Sequence, residues 1–497
     1  MREVTISMDQ EAPFHNNVDY CVGTGRMGLA LHKEYWEQLA LVQKAIGFSY
    51  IRGHGLFCDD MAIYQEYKTE DGQLESEYNF TYLDRVVDSY MELGIRPFLE
   101  LGFMPEKLAS GTQTQFYWKG NVTPPRDYEK WCALVQETLR HLLGRYGEEE
   151  VLSWPVEVWN EPNLTGFWEH ADMEEYFKLY ECTSYAIKEV DPRFQVGGPA
   201  ICGGCDEKWM KGFLSHCQDK GLPLDFISRH HYTTELPKPN GHYGYVELYT
   251  SEYAFSTLRD CRKMIDSYAE YKDLPFYITE FNTSYIPNAP IHDTNENAAY
   301  LARMLSEIGD FCTGYSYWTF GDVFEEQGVP FTPFHGGFGL VANGCIPKPA
   351  FWTFYFYKQL KGKGVYRDEH MVVTQEKDGT VRGVVWNLTR ESGCEHWDCK
   401  LHIPVEEKRY CCVRQIVDEQ VCNPLKVWHD LGEPASLKNE QAELLRAAAN
   451  PSILTECLVP SSGQLELEIG LGKNSVMYFE IREAALRSDR GFEYGKY

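Results

Sequence analysis

Two glutamates, Glu161 and Glu280, each stand at the end of an apolar run with the composition of a buried strand. The first run is Trp154-Pro155-Val156-Glu157-Val158-Trp159-Asn160; the second is Leu274-Pro275-Phe276-Tyr277-Ile278-Thr279. β-Branched and aromatic residues build both runs, and polar groups end them abruptly. Pro162 is expected to hold Glu161 in an extended conformation and to stop the strand there. A carboxyl pair on strand ends suits glycosidic bond hydrolysis, where one group donates a proton to the leaving oxygen while the other, ionised, attacks the anomeric carbon. Identical side chains can divide these duties, because two nearby carboxylates cannot both ionise easily.

Other residues join the pair by position. Asn160 cannot titrate, but its amide can donate to a sugar 2-hydroxyl. In Arg229-His230-His231-Tyr232 the side chains alternate, so His230 and Tyr232 share the site's face and His231 is expected behind the wall. His54 lies between Gly53 and Gly55, which permit close approach of a ligand. Trp318 ends a further strand, where its indole can floor a sugar. Glu325 and Glu326 follow in a loop and, from residue type alone, read as solvated surface charges.

The elements needed to present these groups recur along the chain. Strands are expected near 18–23, 48–52, 96–100, 156–160, 195–198, 226–230, 274–280 and 315–319, separated by helices at 33–46, 82–93, 128–146, 173–190, 207–220, 253–271 and 296–308. Gly47, Gly94, Gly147, Gly221 and Gly314 stand where helix C-caps are wanted. Alternation of this kind closes into an α/β fold, a (β/α)8 TIM barrel, whose chemistry lies at the C-terminal strand ends. Both glutamates fall there, on strands four and seven. The expected division is an N-terminal strand at 1–14 joining a sandwich, a catalytic barrel at 15–345, and a C-terminal antiparallel β-sandwich at 346–497 with a helical insert near 436–449. Lys377-Asp378-Gly379-Thr380 marks a hairpin in that last part.

Composition excludes several functions. A net charge of -27 repels nucleic acid and anionic membranes, so neither is expected as a partner, and it favours a neutral substrate. The N-terminal residues carry no apolar signal segment and no stretch approaches a membrane span, so the expectation is a cytoplasmic protein. Sixteen scattered cysteines then read as mostly buried thiols. Cys202-Gly203-Gly204-Cys205 lacks a thioredoxin-like context. No metal is expected, since the histidines lack paired helical spacing, and no phosphate-binding glycine loop or nucleophilic-serine elbow appears; no cofactor is expected.

At these residues the chain resembles the β-xylosidases of glycoside hydrolase family 39. The stretches that carry the resemblance include Tyr50-Ile-Arg-Gly-His-Gly-Leu56, Lys107-Leu-Ala-Ser-Gly-Thr-Gln113, Trp159-Asn-Glu-Pro-Asn163, Val196-Gly-Gly-Pro-Ala-Ile-Cys-Gly-Gly204, Ile278-Thr-Glu280, Ser316-Tyr-Trp-Thr-Phe320, Asp322-Val-Phe-Glu-Glu326 and Phe334-His-Gly-Gly-Phe-Gly-Leu340. Cys205 departs from the small residue expected there. The resemblance implies Glu161 as acid/base and Glu280 as nucleophile of a retaining exo-β-1,4-xylosidase acting on xylo-oligosaccharides. It implies that His54, Asn160, His230, Tyr232 and Trp318 line the sugar subsite, that Glu325 and Glu326 bind xylose hydroxyls far from the anomeric carbon, and that the protein is a homo-oligomer, a tetramer or dimer. Two other readings are an α-L-iduronidase-like enzyme, which would need a cation for the uronate, and a sugar-binding protein without catalysis.

Overall fold

A computed structural model describes residues 2–485, 492 and 496; the outermost expected domain limits, 1 and 497, lie outside them. Eight parallel strands close into a barrel. They are β1 (Cys21–Arg26), β2 (Tyr50–His54), β3 (Arg96–Leu101), β4 (Val156–Val158), β5 (Val196–Ile201), β6 (Phe226–Tyr232), β7 (Phe276–Asn282) and β8 (Gly314–Tyr317). Each is followed by a helix: α1 (Lys33–Ala45), α2 (Thr81–Glu92), α3 (Tyr128–Tyr146), α4 (Met173–Val190), α5 (Trp209–Lys220), α6 (Ser251–Asp266), α7 (Asn295–Leu305) and α8 (Pro349–Gln359). The last of these lies beyond the expected barrel end at 345; its Phe351, Phe354 and Tyr357 are buried in the main core.

Local sequence explains the punctuation. Asp127, Asp172, Thr250 and Thr294 cap α3, α4, α6 and α7 by accepting N–H bonds in the first turn. Gly47, Gly94, Gly147 and Gly221 have φ between 62° and 89°, as helix-ending glycines should. Gly314 differs: it opens β8, and a Cβ there would come within 2.4 Å of the Tyr20 ring, so its role is to make room.

β4 is also shorter than expected. The chain leaves it at Val158, Trp159 has φ 71° and Glu161 has φ 42°, so Glu161 is left-handed rather than extended before Pro162. The neighbouring strand imposes this turn. The Glu161 N–H donates to the Ala200 carbonyl at 3.0 Å, and Asn163 Oδ1 accepts from the Cys202 N–H at 3.1 Å. Strain of this kind, held by surrounding bonds, concentrates at functional sites.

The C-terminal part is a β-sandwich. Its larger sheet orders Lys363–Arg367, Met371–Gln375, Val381–Asn387, Ser475–Glu483, Tyr410–Val417 and Ser452–Leu458, all antiparallel. The smaller sheet holds Trp397–Pro404 between Gln464–Leu471 and the N-terminal strand Arg2–Thr5, which runs parallel to it with Val4 opposite Leu401. Alternation places Leu465, Leu467, Ile469 and Leu471 inward against Met371, Val373, Met477 and Phe479 of the other sheet. The expected helical insert is two helices, Pro424–Asp430 and Asn439–Ala448.

Candidate active site

Arg52 organises the mouth of the barrel. It is buried on β2, where an apolar strand would otherwise carry an aliphatic residue. Its guanidinium donates through Nε to Glu157 Oε2 (2.6 Å), through Nη1 to Glu280 Oε1 (2.8 Å) and through Nη2 to Asn160 Oδ1 (2.9 Å), with Glu100 Oε2 at 3.0 Å. Four strands are thus tied by one planar fork. Sequence reasoning passed over Arg52, Glu100 and Glu157. Their signal was present, since charged residues inside apolar barrel strands have to point into the lumen and pair there.

Around that hub the two strand-end glutamates converge. Both are buried, Glu161 at 7% exposure and Glu280 at 4%. Ligand-capable atoms of Glu161, His230 and Glu280 all lie within 4.8 Å of one another, so the two carboxyl groups face each other across a short gap. Such a cluster can bridge a cation, but the Arg52 guanidinium already supplies positive charge at this point. Glu280 Oε2 accepts from the Tyr232 hydroxyl at 2.6 Å. Glu161 Oε1 meets His230 Nδ1 at 2.8 Å.

The two carboxyls differ in their company. Burial raises Glu161 well above the usual carboxylate range, and the nearby charge of Glu280 adds to this, with Arg52 opposing. Burial holds His230 well below its ordinary value, followed by Arg52, so the imidazole bonded to Glu161 is neutral and brings no compensating charge. Burial, then Glu280 and Glu161, raise the Tyr232 phenol, which keeps its proton for Glu280.

A cavity of about 410 Å³ opens over the pair, and His54, Asn160, Tyr232, Trp318 and Glu326 line it. Asn160 gives its oxygen to Arg52, which leaves the amide N–H groups for a ligand. His54 is braced through Nδ1 by Glu100 at 2.7 Å and packs on Trp318, ring centroids 4.6 Å apart. The indole lies across β1 where a Cβ at Gly23 would meet it at 2.4 Å, a close approach only glycine permits. Glu326 is part-buried; burial, then Glu280 and Glu161, raise it well above the usual range, so it differs from the solvated charge its residue type suggested.

Three expected positions differ. His230 lies beneath the cavity and reaches it through Glu161. Glu325 turns away to accept from Arg26 Nη2 at 2.7 Å. His231 does line the cavity, because the space continues past the end of β6 toward α6, onto the face that alternation assigned to the wall. The loop that carries Glu326 is anchored by buried Lys348, which bridges Asp293 and Asp322 at 2.7 Å each. Burial pushes the Cys202 thiol up to about 12, and Cys202 and Cys205 are both free.

A parallel (β/α)8 barrel with facing glutamates in unlike surroundings at its C-terminal mouth defines a glycoside hydrolase. The family model for glycosyl hydrolases family 39 matches residues 3–466, and the chain belongs to that family. It is 50% identical over 487 residues to a β-xylosidase of Geobacillus stearothermophilus, covering 97% of this chain and 96% of that one. A β-xylosidase of Caldicellulosiruptor saccharolyticus is 36% identical over 480 residues, covering 93% and 94%. The crystal structure of a monomeric β-xylosidase from Caulobacter crescentus CB15 superposes with a TM-score of 0.88 at 31% identity, covering 98% of this chain and all of that one.

Proposed function

We propose that the protein is a retaining exo-β-1,4-xylosidase that removes terminal, non-reducing xylose from xylo-oligosaccharides. The observation that carries this is the short gap between Glu161 and Glu280, with the Arg52 guanidinium bonded to Glu280 alone of the two. The separation matches a nucleophile rather than a base acting through water, for which the carboxyls stand about 6.5–9.5 Å apart. In the first step Glu280 attacks the anomeric carbon while Glu161 gives its proton to the leaving oxygen. In the second, Glu161, now ionised beside an uncharged ester, takes a proton from water, which attacks the same carbon and frees Glu280. Two inversions return the original configuration.

The exo mode rests on the closed end of the cavity. Glu326 stands there, and its carbonyl accepts from the Tyr117 N–H of the long loop after β3 at 2.8 Å. Arg229, the one arginine or lysine among the described residues lining the cavity, is already paired with Asp206, so a uronate meets no free cation there; this ranks the α-L-iduronidase-like reading below this one, and two poised carboxyls disfavour binding without hydrolysis. A cytoplasmic location and a homo-oligomer belong to the same reading; the unpaired edge strand Ser452–Leu458, with Ile453 and Leu454 exposed, supports self-association. Light scattering tests the oligomer. The function is tested with nitrophenyl β-xyloside: Glu280→Ala is expected to abolish turnover and to yield α-xylosyl azide when azide is added. Hydrolysis surviving in Glu280→Ala without azide, or faster turnover of an α-L-iduronide by wild type, would overturn the proposal.

A further inference from the structure

The cavity has two unlike halves. On one side of the carboxyl pair it is walled from β7, β8 and β2, with Glu280, Trp318, Glu326 and His54. On the other it runs past Glu161 into a lobe between the loop after β5, the end of β6 and the start of α6. Cys202 and Gly203 form one edge of this lobe, His231 its floor, and Tyr253 and Tyr285 its rim. The rim tyrosines are 53% and 41% exposed.

The lobe is poor in free hydrogen-bonding groups. Arg229 reaches it, but its Nε and Nη2 donate to Asp206 at 2.7 and 2.9 Å, and its Nη1 donates to the His230 carbonyl at 3.3 Å. His231 is 3% exposed and its Nε2 has no partner. Its Nδ1 faces Arg229 Nη1, a donor, at 3.5 Å, which favours the tautomer with the proton on Nε2. Burial, then Arg229, keep this ring uncharged. The Thr234 and Thr257 hydroxyls donate to backbone carbonyls, so the lobe offers one buried donor and three tyrosine rings, Tyr249, Tyr253 and Tyr285, with their hydroxyls.

Because Glu161 must protonate the leaving oxygen, the leaving group has to lie on the side of the sugar where Glu161 stands. We propose that this lobe is the leaving-group subsite and that it selects a flat aryl group over a second pentose, with Tyr253 and Tyr285 as the specificity-determining residues. The inference rests on the xylosidase reading above. A pentose would bring several hydroxyls against aromatic carbon, where unpaired polar groups are costly; an aryl ring loses nothing by leaving water and gains ring contact.

Affinity separates this from leaving-group reactivity, since a phenoxide departs more easily whatever binds it. Competitive inhibition by phenyl 1-thio-β-xyloside and by thioxylobiose is measured on the intact protein, wild type and the variants Tyr253→Ala and Tyr285→Ala. Turnover of β-xylosyl fluoride, whose leaving group is too small to fill the lobe, is measured alongside. Wild type is expected to bind the phenyl compound about tenfold tighter, the scale of burying an aromatic face. Each variant should reduce that preference at least threefold. Equal affinity for the two thioglycosides, or a preference untouched by both variants, overturns the proposal. Absence of fluoride turnover in wild type would instead sink the xylosidase reading.

Discussion

Replacing Glu161 by glutamine tests the division of labour most directly. The amide keeps the shape of the carboxyl and can still meet His230 Nδ1, now 2.8 Å from Oε1, so the strand end and its left-handed turn are preserved. What is lost is the proton, which burial and the charge of Glu280 hold on the wild-type residue. General acid catalysis contributes a hundred- to ten-thousandfold, roughly 2.7–5.4 kcal/mol. Xylobiose hydrolysis by Glu161→Gln is expected to fall by about that factor, because its alkoxide cannot leave unprotonated. Dinitrophenyl xyloside should form the covalent intermediate at nearly the wild-type rate and then stall for want of a base. Both kcat and KM should drop, and azide should restore turnover with β-xylosyl azide as product. The pH profile supplies a second readout. An acid acts while protonated, so kcat/KM declines as pH rises through its pKa, and a raised pKa moves that decline upward; in Glu161→Gln the alkaline limb should vanish. Stability follows the same sign. A carboxyl whose pKa is raised on folding contributes stability below its unfolded value that is lost as pH rises through the folded one. Glu161→Gln should therefore melt increasingly above wild type as pH rises. An equal loss of activity across all leaving groups would refute the assignment.

Other substitutions separate binding from support. Glu326→Ala should lower kcat/KM roughly ten- to a hundredfold, the scale of a hydrogen bond to a charged or polar sugar contact, whereas Glu325→Ala, acting only through Arg26, should cost a fewfold; the reverse order would show that the two roles are exchanged. Arg52→Lys keeps the charge but cannot span Glu157, Glu280 and Asn160, and kcat/KM should fall about a hundredfold or more; near-wild-type kinetics would deny the fork its role. Lys348→Met strands Asp293 and Asp322 in the core and should cost about 3–5 kcal/mol by chemical denaturation, much of it regained on adding Asp293→Asn and Asp322→Asn; an unchanged midpoint in the single variant contradicts the burial argument.

The barrel was legible because its period is simple. Apolar strands and amphipathic helices alternate, and glycines such as Gly47 and Gly221 mark the joints. Both glutamates could be placed at strand ends by counting, and the N-terminal strand could be expected in the sandwich because it alternates and comes ahead of the helical pattern that follows. Besides the hub of Arg52, Glu100 and Glu157, three things escaped. The turn at Glu161 depends on the Ala200 carbonyl, about forty residues on, and no local rule contains that bond. The contrast between Glu325 and Glu326 depends on Arg26, at the end of the neighbouring strand β1 but some three hundred residues away in sequence, so adjacent identical residues read alike until the fold separates them. His231 was assigned to the wall by strand alternation, which held; the cavity extends around the strand end to meet it.

Arg52 explains why an arrangement of four carboxylates in one barrel mouth can work at all. Left to themselves, Glu100, Glu157, Glu161 and Glu280 would each be penalised by burial and by one another. A single guanidinium pairs with three of them and with Asn160, and geometry leaves Glu161 as the one without it. Glu161 instead faces a histidine that burial and Arg52 keep neutral. The asymmetry needed for a proton donor beside a nucleophile is therefore built into where one fork can reach. In the reaction proposed above, consuming the nucleophile's charge in the ester would remove the repulsion that holds the proton on Glu161, and the same residue would then serve as the base of the second step.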